Sequence, residues 1–501
     1  MVIMPDFQKS LEELVDVCYG VRKQFPTLPV LGIQWMHHTN MREGVHQAIL
    51  SGSVPSGTLL LLAKWLWLTI KGFFLFLELF WLRLKSRKQL KFFRKNSFNF
   101  LAKSWIVNKE NKVQDRDFYL GDLQSTLLKR GQKLLLLLGS ADGSIRSYSG
   151  DFCLSEYCLV SPFRVFYVYW LQLVSCFSLR RLAHKEKQQL VYHVLRKASI
   201  DVLNFQTMLN CLYYWVGKNG VRWWQSRAFI TLYEGYAWEK CLWSGVKAAN
   251  LSCKTIGYQH TVILQRTYAL RKPNPNLQET ATPDIVLCSG HLTTELIKNT
   301  HKRRGTKVIP FGSFRYEGLD SDGVVPKPAQ RKVLVTADGI LPEAIFLFNV
   351  ALKTANLLKD HQFIFRCHPA LPFDRVAPFL KENPAVIPNV EVSRNTPMNE
   401  DLSKSSVILY RGSSCVLYAI LKGLKPVYFH QEKGEVVDPI FELEDWREFA
   451  VSEVDLSKKI FDFSQEPFQK TLVSWRKALD YVQSYTMPVG SETIQACFGR
   501  L

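Results

Sequence analysis

Lys332-Val-Leu-Val-Thr336-Ala-Asp-Gly339 and, further on, Gln362-Phe-Ile-Phe-Arg366-Cys-His-Pro369 and Ser406-Val-Ile-Leu-Tyr410-Arg-Gly-Ser-Ser414 decide how this chain is read. Each is a short apolar run that stops at a cluster of Gly, Pro or small polar residues. Helical patterns separate them, from Pro342 to about Leu358 and from Cys415 to Leu424, and Pro426-Val-Tyr-Phe429 follows as a further run. Strands alternating with helices predict a parallel sheet covered on both faces. Ligands of such sheets sit beyond the carboxyl ends of the strands. Those ends carry Asp338, Arg366, His368, Gly412, Ser413 and Ser414. Cationic groups and a Gly-Ser-Ser turn at a helix start suit a phosphate.

The same alternation appears upstream. Arg227–Leu232, Thr255–Tyr258, Asp284–Cys288 and Lys307–Pro310 read as strands, with Lys133–Leu138 as the first strand of that unit. Their ends hold Glu234, Gln259 and His260. Gly, Asp and Pro residues between 317 and 330 read as a linker. The expected organisation is a helical region at 1–130, one Rossmann-like unit at 131–316, the linker 317–330 and a second unit at 331–501. The fold class is α/β, two lobes with a cleft between them.

At 47% hydrophobic residues, the 501-residue chain can bury large cores and is not a disordered one. Its net charge of +20 favours anionic partners. No nucleic-acid motif accompanies that charge, so no nucleic acid is expected. Eleven cysteines without a C-x-x-C pair suggest free thiols in a reducing compartment. The first residues lack the pattern of a signal peptide, so a cytoplasmic protein is expected. There is no Walker A sequence, no G-x-G-x-x-G after a strand and no zinc-ligand spacing. No Asp-x-Asp stands at a strand end, and neither a metal nor a cofactor beyond a nucleotide-linked substrate is expected.

Residues 58–95 are an amphipathic basic segment. Leu59–Leu82 is long enough to cross a membrane. Lys64, Lys71, Glu78 and Lys85 recur every seven residues and so share one helical face. Seven basic residues and no acid lie between Arg83 and Lys95. Three readings stand: a partly buried helix with its charged stripe in water, an in-plane helix on an anionic membrane, and a true span. Val165–Phe177 reads as a core helix.

The strand ending Arg366-Cys367-His368-Pro369, with Ser413-Ser414 at a helix start 45 residues later, resembles the His-Pro and Ser/Thr motifs of bacterial capsule and sialic-acid transferases of the GT-B fold. Tyr233-Glu234-Gly235 with Trp238-Glu239, and Gly257-Tyr258-Gln259-His260, look like the N-terminal lobe of related surface-carbohydrate proteins. The resemblance covers about residues 225–450. It implies a metal-independent, inverting glycosyltransferase that uses a CMP-activated donor, a nonulosonic acid or Kdo, and a surface glycan or lipid-linked acceptor at the inner face of the cytoplasmic membrane. By that resemblance His368, Ser413 and Ser414 bind phosphate, and an acid in the first lobe acts as base. Glu234 is the nearest match, although the family has two acids where this chain has one. Arg366 and Glu435 are added as nucleotide-binding candidates, and Asp338, Glu239, Gln259 and His260 as acceptor or cleft candidates. Transfer of a polyol phosphate from a CDP-activated donor, as in teichoic-acid polymerases, and a non-catalytic scaffold role are the alternatives.

Overall fold

The computed structural model describes all residues except 1–4, 38–44, 54–56, 107–116, 141–143, 149, 151, 266, 272–281, 302–304, 316–323, 328–329, 395, 432–436 and 500–501. Thirteen strands form two sheets. The first holds β1 (Phe100–Ile106), β2 (Leu134–Ser140), β3 (Cys153–Ser155), β4 (Ala228–Leu232), β5 (Lys254–Tyr258), β6 (Ile285–Cys288) and β7 (Lys307–Pro310). Its order is β3-β2-β1-β4-β5-β6-β7. The second holds β8 (Lys332–Thr336), β9 (Gln362–Arg366), β10 (Val390–Ser393), β11 (Val407–Tyr410), β12 (Lys425–Phe429) and β13 (Glu448–Ala450). Its order is β10-β9-β8-β11-β12-β13.

All pairings within the two sheets are parallel. Each sheet therefore winds outward in both directions from its first strand, which is the doubly wound Rossmann order. The crevice where the winding reverses lies between β1 and β4 in one lobe and between β8 and β11 in the other. Unbroken apolar runs such as Leu134–Leu138 belong to strands covered on both faces, and β2 is buried throughout. The two-lobed α/β fold expected from the sequence is the fold of the chain.

The helices used below are α1 (Thr58–Lys85), α2 (Arg87–Arg94), α3 (Arg164–Ala183), α4 (Phe205–Trp224), α5 (Ala237–Ala249), α6 (Phe468–Tyr485) and α7 (Ser491–Phe498). α4 and α5 pack backbone to backbone. A Cβ on Gly245 would lie 1.9 Å from the Tyr214 carbonyl oxygen, and one on Gly217 would lie 2.3 Å from that of Leu242. α6 belongs to the second core, through Trp475, Val482 and Tyr485. α7 then returns to the first lobe, where Phe498 meets Phe100 edge-on at 5.5 Å and Ser491 accepts a hydrogen bond from Arg130.

Several expectations need correction. The first lobe starts at β1, inside the segment 1–130 that reads as helical, and it also includes α7 from the far end of the chain. The linker 317–330 falls largely outside the described residues. In α1 the stripe Leu68, Gly72, Leu75, Leu79 and Leu82 faces the protein, and Lys64 lies on that inner side, paired with Asp201 at 3.6 Å. Much of the apolar side is turned outward, with Trp67, Phe74 and Trp81 more than half exposed, alongside the exposed Glu78 and Lys85. α3 is only partly a core helix, since Phe166, Trp170 and Phe177 are exposed.

Candidate active site

A cleft of about 870 Å³ lies between the lobes. Its walls are built largely from the loops that follow β1, β4, β5 and β7 on one side and β8, β9 and β11 on the other. Both reversal points therefore open into it. Glu234, His260, Asp338, Arg366, His368, Gly412, Ser413 and Ser414 all line this cleft.

Glu234 follows β4 and His260 follows β5. Glu234 Oε1 lies 3.3 Å from His260 Nε2. Burial pushes the Glu234 carboxyl up to about 7, against the opposing pull of Tyr236 and Arg315. Burial, reinforced by the Arg315 charge, pushes His260 down to about 3. His260 is thus a neutral imidazole near pH 7, braced edge-on by Tyr119 at 4.7 Å. When Glu234 ionises, the ring Nε2–H donates to its carboxylate. A carboxylate that titrates near neutrality and opens into a cleft can take a proton from a bound hydroxyl.

The backbone that presents Glu234 is fixed by Glu239, one turn into α5. Glu239 Oε1 accepts from Glu234 N–H and Oε2 from Gly235 N–H, both at 2.9 Å. Gly235 has a φ of 88°, which favours glycine. Glu239 is fully buried and does not line the cleft, so it is a positioning residue rather than an acceptor contact. Gln259 is corrected likewise. It is fully buried, and its side-chain oxygen accepts from Ser289 N–H at 3.0 Å, stapling β5 to β6.

On the opposite wall, His368 Nδ1 accepts from Ala370 N–H at 3.1 Å. That bond leaves the proton on Nε2, as a donor available to the cleft. Burial and Arg315 lower the His368 pKa. The ring rests on Gly339, where a Cβ would stand 3.1 Å from Nδ1. Asp338 Oδ1 accepts from Ile340 N–H at 2.9 Å, which shapes the turn after β8. Gly412 has a φ of 65° and donates its N–H to Val437, so it contributes space and turn geometry rather than a free amide. Ser413 accepts from Cys415 N–H at 3.4 Å, and Ser414 makes no capping bond.

Arg366 lines the wall, but its guanidinium is held by Asp401 at 2.5 Å and by the Thr396 carbonyl at 2.8 Å. An arginine so paired is not a free counter-charge for phosphate. Arg315, five residues past the end of β7, also lines the cleft. Among the described residues its guanidinium makes no ion pair, and it lies over the Phe118 ring at 5.2 Å. Its charge reaches Glu234, His260 and His368. In the sequence Arg315 falls between the last strand of the first unit, which ends at Pro310, and the linker that starts at 317, so neither segment singles it out. A cation just beyond a strand end was the available signal. Glu435 lies outside the described residues. Among the described residues no group of three His, Cys, Asp or Glu side chains could hold a metal ion.

No protein-family model matches the chain, and no curated protein matches it. Among solved structures the chain is similar to a Staphylococcus aureus MnaA–UDP co-structure, at 8% identity, over 80% of this chain and 94% of that one, with a TM-score of 0.44. It is also similar to a UDP-N-acetylglucosamine 2-epimerase from Listeria monocytogenes, at 9% identity, over 81% and 98%, with a TM-score of 0.45. The glycotransferase of kitacinnamycin gives 11% identity, 81% and 100% coverage and a TM-score of 0.43.

Proposed function

We propose that the chain is a glycosyltransferase that moves a sugar from a nucleotide-activated donor to an acceptor hydroxyl. The observation that carries this reading is the division of labour across one cleft. A carboxyl tuned to about 7 faces in from the first lobe, and a neutral His368 with a free Nε2–H faces in from the second. Glu234, ordered by His260, takes the acceptor proton. Arg315, His368 and the hydroxyls of Ser413 and Ser414 stabilise the charge that grows on the leaving phosphate. The transferred sugar's anomeric bond to phosphate breaks as the new bond to the acceptor oxygen forms, and the proton goes to Glu234.

The donor in this reading is CMP-linked, carrying a nonulosonic acid or Kdo. That choice rests on the His-Pro and Ser-Ser resemblance. The acceptor is a surface glycan or a lipid-linked carrier met at the inner face of the cytoplasmic membrane. One observation favours a second reading, transfer of a polyol phosphate from a CDP-linked donor: two histidines, His260 and His368, enter the same cleft from opposite lobes. Product analysis separates the two, since one yields a glycosidic bond and the other a phosphodiester.

The test is a thermal-shift titration with CMP, CDP, UDP and GDP on the wild type and on His368→Ala. A ligand bound only by the folded state raises the melting temperature. Stabilisation by CMP that His368→Ala removes supports the reading. Preference for UDP or GDP overturns the donor, and no response to any nucleotide overturns the transferase.

A further inference from the structure

We propose that the outer face of α1, α2 and α3 is a docking surface for an anionic phospholipid bilayer, with a basic hollow that seats a lipid phosphate headgroup. The inference stands apart from the transferase reading.

The apolar part of this surface spans two helices. α1 is 28 residues, about 42 Å at 1.5 Å per residue, and only one stripe of it meets the protein. The opposite side exposes Trp67 by 56% and Trp81 by 60%. α3 runs beside it and exposes Trp170 by 62% and Phe177 by 72%. Phe76 of α1 joins the two helices through Phe163 at 5.7 Å and Phe166 at 5.1 Å. An apolar surface this broad is rarely left to water.

α1 is fastened along its length, so it lies flat rather than standing out as a span. Lys64 bonds Asn204 and pairs with Asp201, Thr69 meets the Tyr169 hydroxyl at 2.9 Å, and Gly72 packs on Val165 and Met208. A helix held this way presents its apolar side to a plane parallel to its axis.

The end of that surface is strongly cationic. From Arg83 to Lys95 the chain has seven basic residues and no acid. Among the described residues none of the seven forms an ion pair. A hollow of about 700 Å³ opens where α1 turns into α2. Arg83, Arg87, Lys91 and Arg94 line it together with the apolar Phe80 and Leu84. Arg94 is stacked on the Trp223 ring at 3.8 Å, which fixes its direction. Its pKa is lowered by burial and by the neighbouring Arg83, so an anion at this place relieves a real repulsion. Guanidinium groups beside aromatic and leucine side chains match a molecule that is phosphate at one end and hydrocarbon at the other.

Charge also decides the occupant. A second copy of the chain would bring another set of seven unpaired cations against the first. An anionic bilayer answers both halves of the surface at once, and each basic residue near such a bilayer contributes about 1 kcal/mol, roughly fivefold in affinity.

The experiment is vesicle flotation of the full chain without nucleotide, using phosphatidylcholine alone and phosphatidylcholine mixed with phosphatidylglycerol. The expected result is binding to the mixed vesicles only. Arg83→Gln/Arg87→Gln/Lys91→Gln/Arg94→Gln lowers that binding by several hundredfold, while Trp81→Ser/Phe177→Ser weakens it with the cations intact. All these side chains are on the surface, and unchanged melting temperatures verify that the variants fold. Absence of binding to mixed vesicles overturns the proposal, as does full binding by the four-charge variant. Release of bound protein by inorganic phosphate at unchanged ionic strength assigns the hollow to free phosphate and overturns the lipid. A dimer in light scattering that Trp81→Ser/Phe177→Ser dissolves assigns the surface to a second copy, which also overturns it. The nucleotide thermal shift is unaffected by either set of substitutions, so this proposal and the transferase reading fail separately.

Discussion

Glu234 Oε1 and His260 Nε2 stand 3.3 Å apart where β4 and β5 end in the cleft, and burial moves the two groups' pKa values in opposite directions. The carboxyl rises to about 7 and the imidazole falls to about 3. The base form of Glu234 therefore grows in as pH rises through 7, beside a ring that stays neutral. The acid limb of kcat/KM is expected near pH 7. Glu234→Gln is expected to lower kcat by ~10²–10⁴-fold and to flatten that limb. A limb that survives in Glu234→Gln would assign the base to another group.

The same shift has a stability side. The folded chain holds the Glu234 proton over a pH range in which the unfolded chain has released it. Its contribution is therefore complete below about 4.5 and is lost as pH rises through about 7. His260 acts oppositely: its contribution is present above 6.5 and fades as pH falls toward 3. The melting temperature of Glu234→Gln is expected to gain on the wild type between pH 5 and 8, which calorimetry across that range measures.

Burial first, and then the like charge of Arg315, hold the His368 pKa down. Arg315→Gln is expected to raise the His368 pKa, read by NMR titration of its ring protons. Nucleotide should also stabilise the variant less than the wild type. If the titration midpoint does not move, the Arg315 guanidinium is not directed at this site.

Lys103 and Glu156 form a fully buried ion pair at 2.9 Å, with the Tyr213 hydroxyl donating to the carboxylate at 2.7 Å. Lys103 also lies against the Trp105 ring, whose residue lines the cleft. Lys103→Met leaves a buried carboxylate without its partner, and the expected loss is ~3–5 kcal/mol. Lys103→Met/Glu156→Gln is expected to recover most of it. Equal instability of single and double variants in urea titrations would argue against the pair.

Gly245→Ala places a methyl group 1.9 Å from the Tyr214 carbonyl oxygen, so α5 has to move off α4. Since α5 carries Glu239, the loop that presents Glu234 moves with it. The expected outcome is a lower melting temperature together with a fall in kcat. A fall in melting temperature alone would show that Glu239 keeps its hold on the loop.

The strands of the second lobe were the most legible part of the chain. β8 and β9 coincide with their predicted bounds because each is an unbroken apolar run closed by a turn. β1 was illegible for the opposite reason. Lys103 and Ser104 interrupt Phe100–Ile106, and nothing local announces that Glu156, fifty-three residues later, neutralises the lysine. The cleft residues at strand ends were readable, since topology puts Glu234 and His260 on the carboxyl rim of one sheet and His368 and Ser413 on that of the other. What the sequence did not separate was side-chain direction. Glu239 and Gln259 stand beside true cleft residues but turn into the core. Arg366 reaches the wall with its charge already spent on Asp401. The heptad of charges in α1 left three readings open because its members part ways: Asp201 and Asn204 receive Lys64 from the inside, while Glu78 and Lys85 stay exposed.

The chain passes between the lobes twice, and the two passages are bonded to each other. Ser313 N–H donates to the Met487 carbonyl at 2.7 Å, and a Cβ on Gly312 would collide with Pro488. The two passages are therefore tied to each other as a pair rather than left as separate tethers. Arg315 stands two residues beyond Ser313, so a cation that lines the cleft is carried next to the place where the lobes are joined.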